Sequence, residues 1–257
     1  MKKWTIVPAI LLAAVSILSC NKNSNVLKEE TASSLIASPS LQVKDMIMGN
    51  STTRFYYNGA GGVDSTIQMI SGNIKVSTII YGKGLFIDSI HRYRQGVLTD
   101  TWSDVKYNSA DQLSGFTRWY DRSSGNYAKY LLSYDVNGNI AFQSIETPEG
   151  SNVQHGFVYN QDKALTSHSF WLFGFEQKWD IKSDNKLNPF NKMPHLYIVA
   201  ESPDEQQEQL NKYNSVERLY SYSGRTTYWT NEYDQQDRLI KRSNPDAQYS
   251  SYSLTYY

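Results

Sequence analysis

The sequence predicts an all-β protein: an antiparallel meander of short hairpins in one curled, barrel-like or shell-like sheet. Aromatic residues are abundant, with 20 Tyr, 9 Phe and 6 Trp, and they suit half-buried positions on a pleated sheet. Aromatic and aliphatic residues alternate with polar ones in several segments, as at Tyr130, Leu132 and Tyr134. A short motif also recurs along the chain. Together these observations predict on the order of 14–16 strands.

The recurring motif is an aromatic residue, usually followed by Asn or Asp, with an aliphatic residue about six positions later. Asn and Asp start turns because their side chains bond the nearby backbone and they tolerate left-handed geometry. Each unit therefore predicts a hairpin in which the aromatic and the aliphatic residue face each other. The eight predicted units are Tyr57 to Val63, Tyr81 to Ile87, Tyr107 to Leu113, Tyr134 to Ile140, Tyr159 to Leu165, Trp179 to Leu187, Tyr213 to Leu219 and Tyr233 to Leu239.

These units resemble the YD repeats of Rhs-type proteins, and Tyr134-Asp135 through Ile140 is the best match. The chain also resembles bacterial outer-membrane lipoproteins of unknown function that carry degenerate hairpins of this type. The resemblance covers about residues 55–257. It implies an antiparallel sheet that curls into a shell, and it implies no particular activity. A β-sandwich is the alternative fold.

The amino terminus has the features of a lipoprotein signal peptide. Two lysines precede an apolar run that is too short for a comfortable membrane span, and Ser19 stands before Cys20, the only cysteine. This resembles a lipobox, which implies cleavage after residue 19 and lipid on Cys20. Asn21 favours the outer membrane by the sorting rule for such proteins, with the membrane face undecided. We expect a flexible tether over residues 20–45 and a single domain over 46–257.

Residues 188–212, called the insertion below, interrupt the repeat. Pro203 follows Ser202 and precedes Glu205 by two positions, which predicts a capped helix near 203–212. We expect the insertion to plug or cap one end of the sheet. A long segment on a repetitive scaffold is also a candidate for binding a partner.

Composition and motifs argue against several functions. The mature chain has 23 basic and 25 acidic residues, so no strong field recruits nucleic acid. A lone cysteine leaves no disulfide framework, and no phosphate-binding, dinucleotide or hydrolase motif is present. We expect no catalysis, no cofactor and no metal. Asp135-x-Asn137-x-Asn139 resembles half of a calcium loop, but a hairpin turn explains these residues fully.

Three functions follow as hypotheses. The first is a non-catalytic cell-envelope lipoprotein that acts as a binding or interaction scaffold, held to the membrane through Cys20, with an envelope protein or a glycan as partner. The second is a carbohydrate-binding lipoprotein associated with glycan uptake, and the third is a glycoside hydrolase-like enzyme with two convergent carboxylates. The candidate sugar-stacking residues are Trp102, Trp119, Trp171, Trp179 and Trp229, with packing inside the sheet as the favoured alternative. The candidate carboxylates are Glu146, Glu149, Glu176 and Asp180.

Overall fold

The computed structural model describes residues 41–71, 73–83, 86–121, 125–193, 196–199, 203–245 and 251–257. The predicted signal peptide, Cys20, most of the predicted tether and Ser202, the predicted helix cap, lie outside these residues. The strands are β1 (Val43–Met48), β2 (Ser51–Tyr57), β3 (Val63–Ile70), β4 (Ile74–Lys83), β5 (Phe86–Arg94), β6 (Val97–Tyr107), β7 (Leu113–Asp121), β8 (Asn126–Tyr134), β9 (Ile140–Glu146), β10 (Asn152–Tyr159), β11 (Leu165–Leu172), β12 (Phe175–Leu187), β13 (Tyr213–Tyr220), β14 (Thr226–Tyr228), β15 (Thr230–Tyr233), β16 (Leu239–Ser243) and β17 (Tyr252–Tyr256).

The strands form one antiparallel meander that returns to its beginning. Each strand from β1 to β13 pairs with the next, and β17 pairs with β1. Trp229 alone separates β14, which pairs with β13, from β15, which pairs with β16. β14 and β15 therefore act as one interrupted strand that connects β13 to β16 in the sheet. The prediction of a barrel-like all-β meander is confirmed, and the β-sandwich alternative is wrong because the described strands form a single sheet.

Five hairpins share one turn geometry at one end of the sheet, called the turn end below. In the β8–β9 turn, Asp135 Oδ1 accepts hydrogen bonds from the backbone N–H groups of Asn137 and Asn139, each at 2.9 Å. The third residue after the Asn or Asp takes a positive φ, as Gly138 does at 80°. Side-chain acceptance thus fixes the turn that the motif predicts. The equivalent turns begin at Asn58, Asn108, Asn160 and Asp234.

The aromatic residue of a repeat also ties neighbouring hairpins together. Tyr134 pairs with Ile140 across its own hairpin, and its hydroxyl donates to the backbone oxygen of Leu113 in the preceding hairpin at 2.7 Å. Tyr57 makes the same kind of bond to Val43 at 2.8 Å, and Tyr107 makes it to Ile87 at 3.3 Å. Tyrosine serves here because its ring fills the core while its hydroxyl satisfies a backbone carbonyl.

Two of the eight predicted hairpins are wrong. Trp179 and Leu187 both lie in β12, and Tyr213 and Leu219 both lie in β13. An even spacing within one strand places two residues on the same face, so the motif also fits an uninterrupted strand. The chain instead leaves the sheet between Leu187 and Tyr213, which pair with each other on either side of the insertion.

The insertion forms a 3₁₀ helix (Pro189–Lys192), α1 (Leu196–Val199) and α2 (Pro203–Leu210). The short helix predicted near 203–212 is therefore present. Phe190 and Met193 pack into one hydrophobic core with Val43, Leu239 and other inward residues. Ile198 belongs to a second core. The β11–β12 connection lies at the end of the sheet opposite the turn end. Because β12 runs from that connection back to the turn end, the insertion that follows β12 begins at the turn end.

Candidate functional site

The five tryptophans proposed as a sugar platform do not form one exposed surface. Trp102, Trp179 and Trp229 point into the sheet and are 0%, 6% and 8% exposed. Trp119 and Trp171 are half-buried on the outer face. A Cβ on Gly156 would lie 2.9 Å from the Trp171 ring, so this glycine makes room for the ring on the outer surface. Cross-strand packing accounts for the three inward tryptophans.

The insertion is seated through its backbone on two inward side chains. The indole N–H of Trp102 donates to the Ile198 carbonyl at 3.1 Å, and Arg92 donates to the Val199 carbonyl at 3.0 Å. Both carbonyls lie in α1, whose short length leaves its C-terminal oxygens without helical partners. Asn188 donates to the Asn211 carbonyl at 3.1 Å and so joins the two ends of the insertion. The buried positions along the insertion therefore serve the core.

Two similar clusters of arginine and tryptophan line the interior. In the first, called the β5–β7 cluster, the guanidinium groups of Arg92 and Arg118 lie 5.2 and 4.8 Å from the centre of the Trp102 ring. In the second, called the β13–β16 cluster, those of Arg218 and Arg242 lie 5.0 and 4.4 Å from the Trp229 ring. In both, a tryptophan is sandwiched between arginines on neighbouring strands, a favourable cation–π arrangement.

The two clusters obtain their acceptors from different places. Arg118 donates to Asp100 on β6 through Nε at 3.0 Å and Nη2 at 2.7 Å. Arg242, which is 2% exposed, instead pairs with Glu208 of α2. With its amide oxygen facing Arg218, Gln207 of α2 accepts from Nε at 3.2 Å and Nη2 at 3.0 Å.

Two histidines lie buried beside the β13–β16 cluster. Nδ1 of His155 lies 3.0 Å from Nε2 of His168, so one ring donates to the other. His168 also stacks on Trp179, with ring centres 4.9 Å apart. Burial lowers the pKa of His155 to about 4. Burial, together with His155 and Arg218, lowers the pKa of His168 to about 3, so the pair is neutral at pH 7.

The candidate glycosidase carboxylates are all exposed. Glu146 pairs with Lys129 at 3.8 Å, and Asp180 pairs with Lys178 at 3.4 Å. Glu176 lies on β12 with Asp180, and Glu149 lies in the β9–β10 loop. Among the described residues no group of three or more His, Cys, Asp and Glu side chains is placed to hold a metal ion. Asp135 uses its carboxylate to hold its own turn.

The outer face carries a row of aligned residues that crosses seven strands. Successive cross-strand pairs define this outer row as Tyr56, Ser65, Ile79, His91, Thr101, Trp119 and Tyr127. At about 4.8 Å per strand, the row is about 29 Å long. It contains no Lys, Arg, Asp or Glu, and four of its seven residues carry a ring, namely Tyr56, His91, Trp119 and Tyr127.

The rings of the outer row have neighbours that fix their positions. Trp119 packs on Tyr127 with ring centres 5.1 Å apart, and its indole N–H donates to Ser103 Oγ at 3.2 Å. His91 packs on Tyr81 with ring centres 4.8 Å apart. Thr101, between His91 and Trp119, is only 4% exposed although it lies on the outer face. Its small side chain therefore leaves a depression between the rings of His91 and Trp119.

Ion pairs border this aromatic surface. Arg54 and Asp45 pair at 2.7 Å next to Tyr56, and Lys129 and Glu146 pair at 3.8 Å next to Tyr127. Lys182 and Glu217 pair at 2.8 Å farther round the sheet. The outer face therefore carries charged, solvated side chains, and the outer row is an uncharged, aromatic strip within it.

Sequence reasoning identified Trp119 but missed most of these residues. The inward arginines could have been found from their phase: Arg92 follows the buried Ile90 by two positions, and Arg118 follows the buried Phe116 by two. A charged residue in phase with buried ones predicts an inward side chain. The outer row has no such signal, because it exists only in the cross-strand register.

Comparison with solved structures finds proteins that are similar to this chain over most of its length. A porin-like protein from Bacteroides uniformis superimposes with a TM-score of 0.56 and 16% identity, covering 86% of this chain and 98% of that one. A porin-like protein from Bacteroides vulgatus gives 0.48 and 12%, covering 84% and 98%. The complex TcdB2-TccC3-Cdc42 gives 0.34 and 9%, covering 80% and 13%. At this identity, the likeness to the first protein is one of fold.

No protein-family model matches the chain, and no curated protein matches it. Within the described part of the chain, no helix is both long enough and apolar enough to cross a membrane.

Proposed function

We propose that this protein is a non-catalytic, lipid-anchored protein of the bacterial cell envelope that binds a partner through the outer face of its sheet. The proposal rests on the outer row, since this row is an aromatic, uncharged strip in an otherwise charged and solvated surface. Large aromatic surfaces with a polar rim are typical of binding sites. The anchor is supported by the lipobox-like segment that ends at Cys20.

The interior of the sheet is filled by structural side chains, which favours binding at the outer face over a passage or an active site inside the sheet. The name porin-like, given to the Bacteroides uniformis protein of similar fold, would suggest a passage. In this chain the insertion places Phe190, Met193 and Ile198 in the cores at the turn end. The two buried histidines stack among aromatic rings rather than facing solvent. We therefore assign the interior to structure and the outer face to function.

The anchor is tested by fractionation of cells that produce the full chain. The wild-type protein is expected in the membrane fraction and labelled by a palmitate analogue. Cys20→Ala should remain unlabelled, because it lacks the only thiol of the chain. Equal labelling of both proteins would refute the anchor.

Binding is tested separately with a chain that begins at residue 21, so that neither the lipid nor the apolar amino-terminal run contributes. Sedimentation with isolated envelopes is compared for Trp119→Ser and Trp171→Ser in that background. Both tryptophans are half-buried on the outer face, but only Trp119 belongs to the outer row. Loss of sedimentation by Trp119→Ser alone is expected, and equal behaviour of the two variants would remove the outer row as the binding surface.

A further inference from the structure

We infer that the ligand of the outer row is a neutral, linear glycan that lies across strands β2 to β8. This inference rests on the proposed function and adds the class of ligand. The shape of the row is the first argument. Because its seven residues are register partners, the row runs perpendicular to the strands for about 29 Å. A surface this long and narrow fits an extended chain better than a compact molecule.

The chemistry of the row is the second argument. Sugar rings present apolar C–H faces and a rim of hydroxyl groups. Aromatic residues with polar tips match both, since the ring face takes the C–H groups and the tip exchanges hydrogen bonds. His91 and Trp119 stand two strands apart, on either side of the buried Thr101. Two rings on either side of a buried residue leave a space in which successive sugar units can stack on them.

The charges are the third argument. The row has no Lys, Arg, Asp or Glu. Arg54 and Lys129, each two positions from an end residue of the row, are paired with Asp45 and Glu146. An anionic polymer would need unpaired cations along its path. An uncharged row bordered by balanced pairs therefore complements an uncharged polymer.

A second copy of this chain is the main competing occupant. Such an interface would bury large apolar side chains against each other and favour a continuous apolar centre. The outer row is interrupted by Ser65 and Thr101, and Ser77, Ser89 and Ser103 lie on the strands beside it. Hydroxyl groups between rings are expected for a polyhydroxylated ligand.

The test uses the lipidated protein in a detergent without a sugar headgroup. Native electrophoresis is run through gels that contain dextran, laminarin, mannan, xyloglucan or polygalacturonate. Retardation by at least one of the four neutral polymers is expected, with no retardation by anionic polygalacturonate. Trp119→Ala and Tyr127→Ala should each weaken binding about tenfold, the effect of losing one ring contact.

Matched variants separate binding from folding. Trp171→Ala removes a tryptophan from the same face outside the row and should bind like the wild type, and Trp119→Phe should restore part of the binding. Thermal unfolding shows which variants remain folded. Retardation by polygalacturonate alone, by none of the polymers, or equally weakened in Trp171→Ala would overturn the inference.

Light scattering completes the test. A dimer that dissociates in Trp119→Ala, with no change in polymer binding, would assign the outer row to a second copy instead. Failure of this inference differs from failure of the proposed function. A protein that still sediments with envelopes through the outer row, but ignores every neutral polymer, would retain a partner and lose the glycan.

Discussion

The β5–β7 and β13–β16 clusters have the same design but depend on different parts of the chain. Each sandwiches a buried tryptophan between two arginines. The β5–β7 cluster has its carboxylate, Asp100, within the sheet, and the insertion adds only backbone oxygens to it. The β13–β16 cluster takes both Glu208 and Gln207 from α2. One side of the sheet is therefore balanced by its own strands, whereas the other needs the insertion to neutralise its buried charge.

Loss of Glu208 should have the largest effect. Glu208→Gln leaves Arg242 buried without a carboxylate, which is expected to lower the free energy of unfolding by about 3–5 kcal/mol. Urea unfolding measures this loss in the free energy of unfolding. Hydrogen exchange should rise in α2 and in β13–β16, because these elements share the pair.

Asp100→Asn is the matched variant in the other cluster. It should raise exchange in β5–β7 and leave the amides of α2 protected. The dependence on the insertion would be disproved if the two variants loosened the same elements.

Acid should also act first on the side that depends on the insertion. His155 and His168 have pKa values of about 4 and about 3 in the folded protein, below the ordinary value of 6.5. The unfolded chain therefore takes up protons first as the pH falls. The contribution of the two histidines to the free energy of unfolding is complete above pH 6.5 and is lost toward pH 4, by about 3 kcal/mol for each histidine at pH 4.

Urea unfolding at pH 7 and pH 4 measures this loss. A variant with both histidines replaced by glutamine should lose the histidine part of the pH dependence. An unchanged slope in that variant would show that other groups set the acid response.

The turns should respond alike on both sides, since their geometry is local. Asn108 precedes β7 and Asp234 precedes β16, and each accepts two backbone N–H groups of its own turn. Replacing either by Ala leaves those groups without this acceptor and is expected to cost about 1–2 kcal/mol. Asn108→Asp and Asp234→Asn, which keep the acceptor, should cost little. A much larger loss for Asp234→Ala would show that the turn, too, is coupled to the insertion.

These differences explain how far the sequence could predict the structure. The turns were predictable because Asp135 and its equivalents act on backbone groups two and four residues away, within one motif. The insertion helix was predictable from Pro203 and its neighbours for the same reason. A structure that is fixed by interactions between residues close in sequence can be recognised from those residues alone.

Features that depend on several strands left a weaker signal. A register shift occurs at each of the five repeated turns, for example between Tyr56 and Tyr57, so the partners of a residue cannot be counted along the chain. The outer row could not be seen for this reason. Arg242 was missed because arginine ordinarily marks a surface, and its buried position depends on Glu208, which lies 34 residues away.

The smallest effect is expected at the β11–β12 tip, and it should be stabilising. Phe173 and Gly174 form this tip with φ of 49° and 81°, and Phe173 is 76% exposed. Two positive φ values favour Asn-Gly, and a bulky side chain is strained at the first position. Phe173→Asn should therefore raise the free energy of unfolding by about 0.5–1 kcal/mol, a gain set by backbone preference.

The tip joins the strands that carry His168 and Trp179, so the gain should appear on the side of the β13–β16 cluster. Hydrogen exchange in β11 and β12 locates it, and thermal unfolding measures it. Phe175→Asn, at a tip residue that is 77% exposed and has no positive φ, is the control for loss of an exposed ring. Equal stabilisation by both variants would show that ring removal, not backbone strain, is responsible. No stabilisation by Phe173→Asn would mean that the exposed ring already offsets the strain through its own contacts.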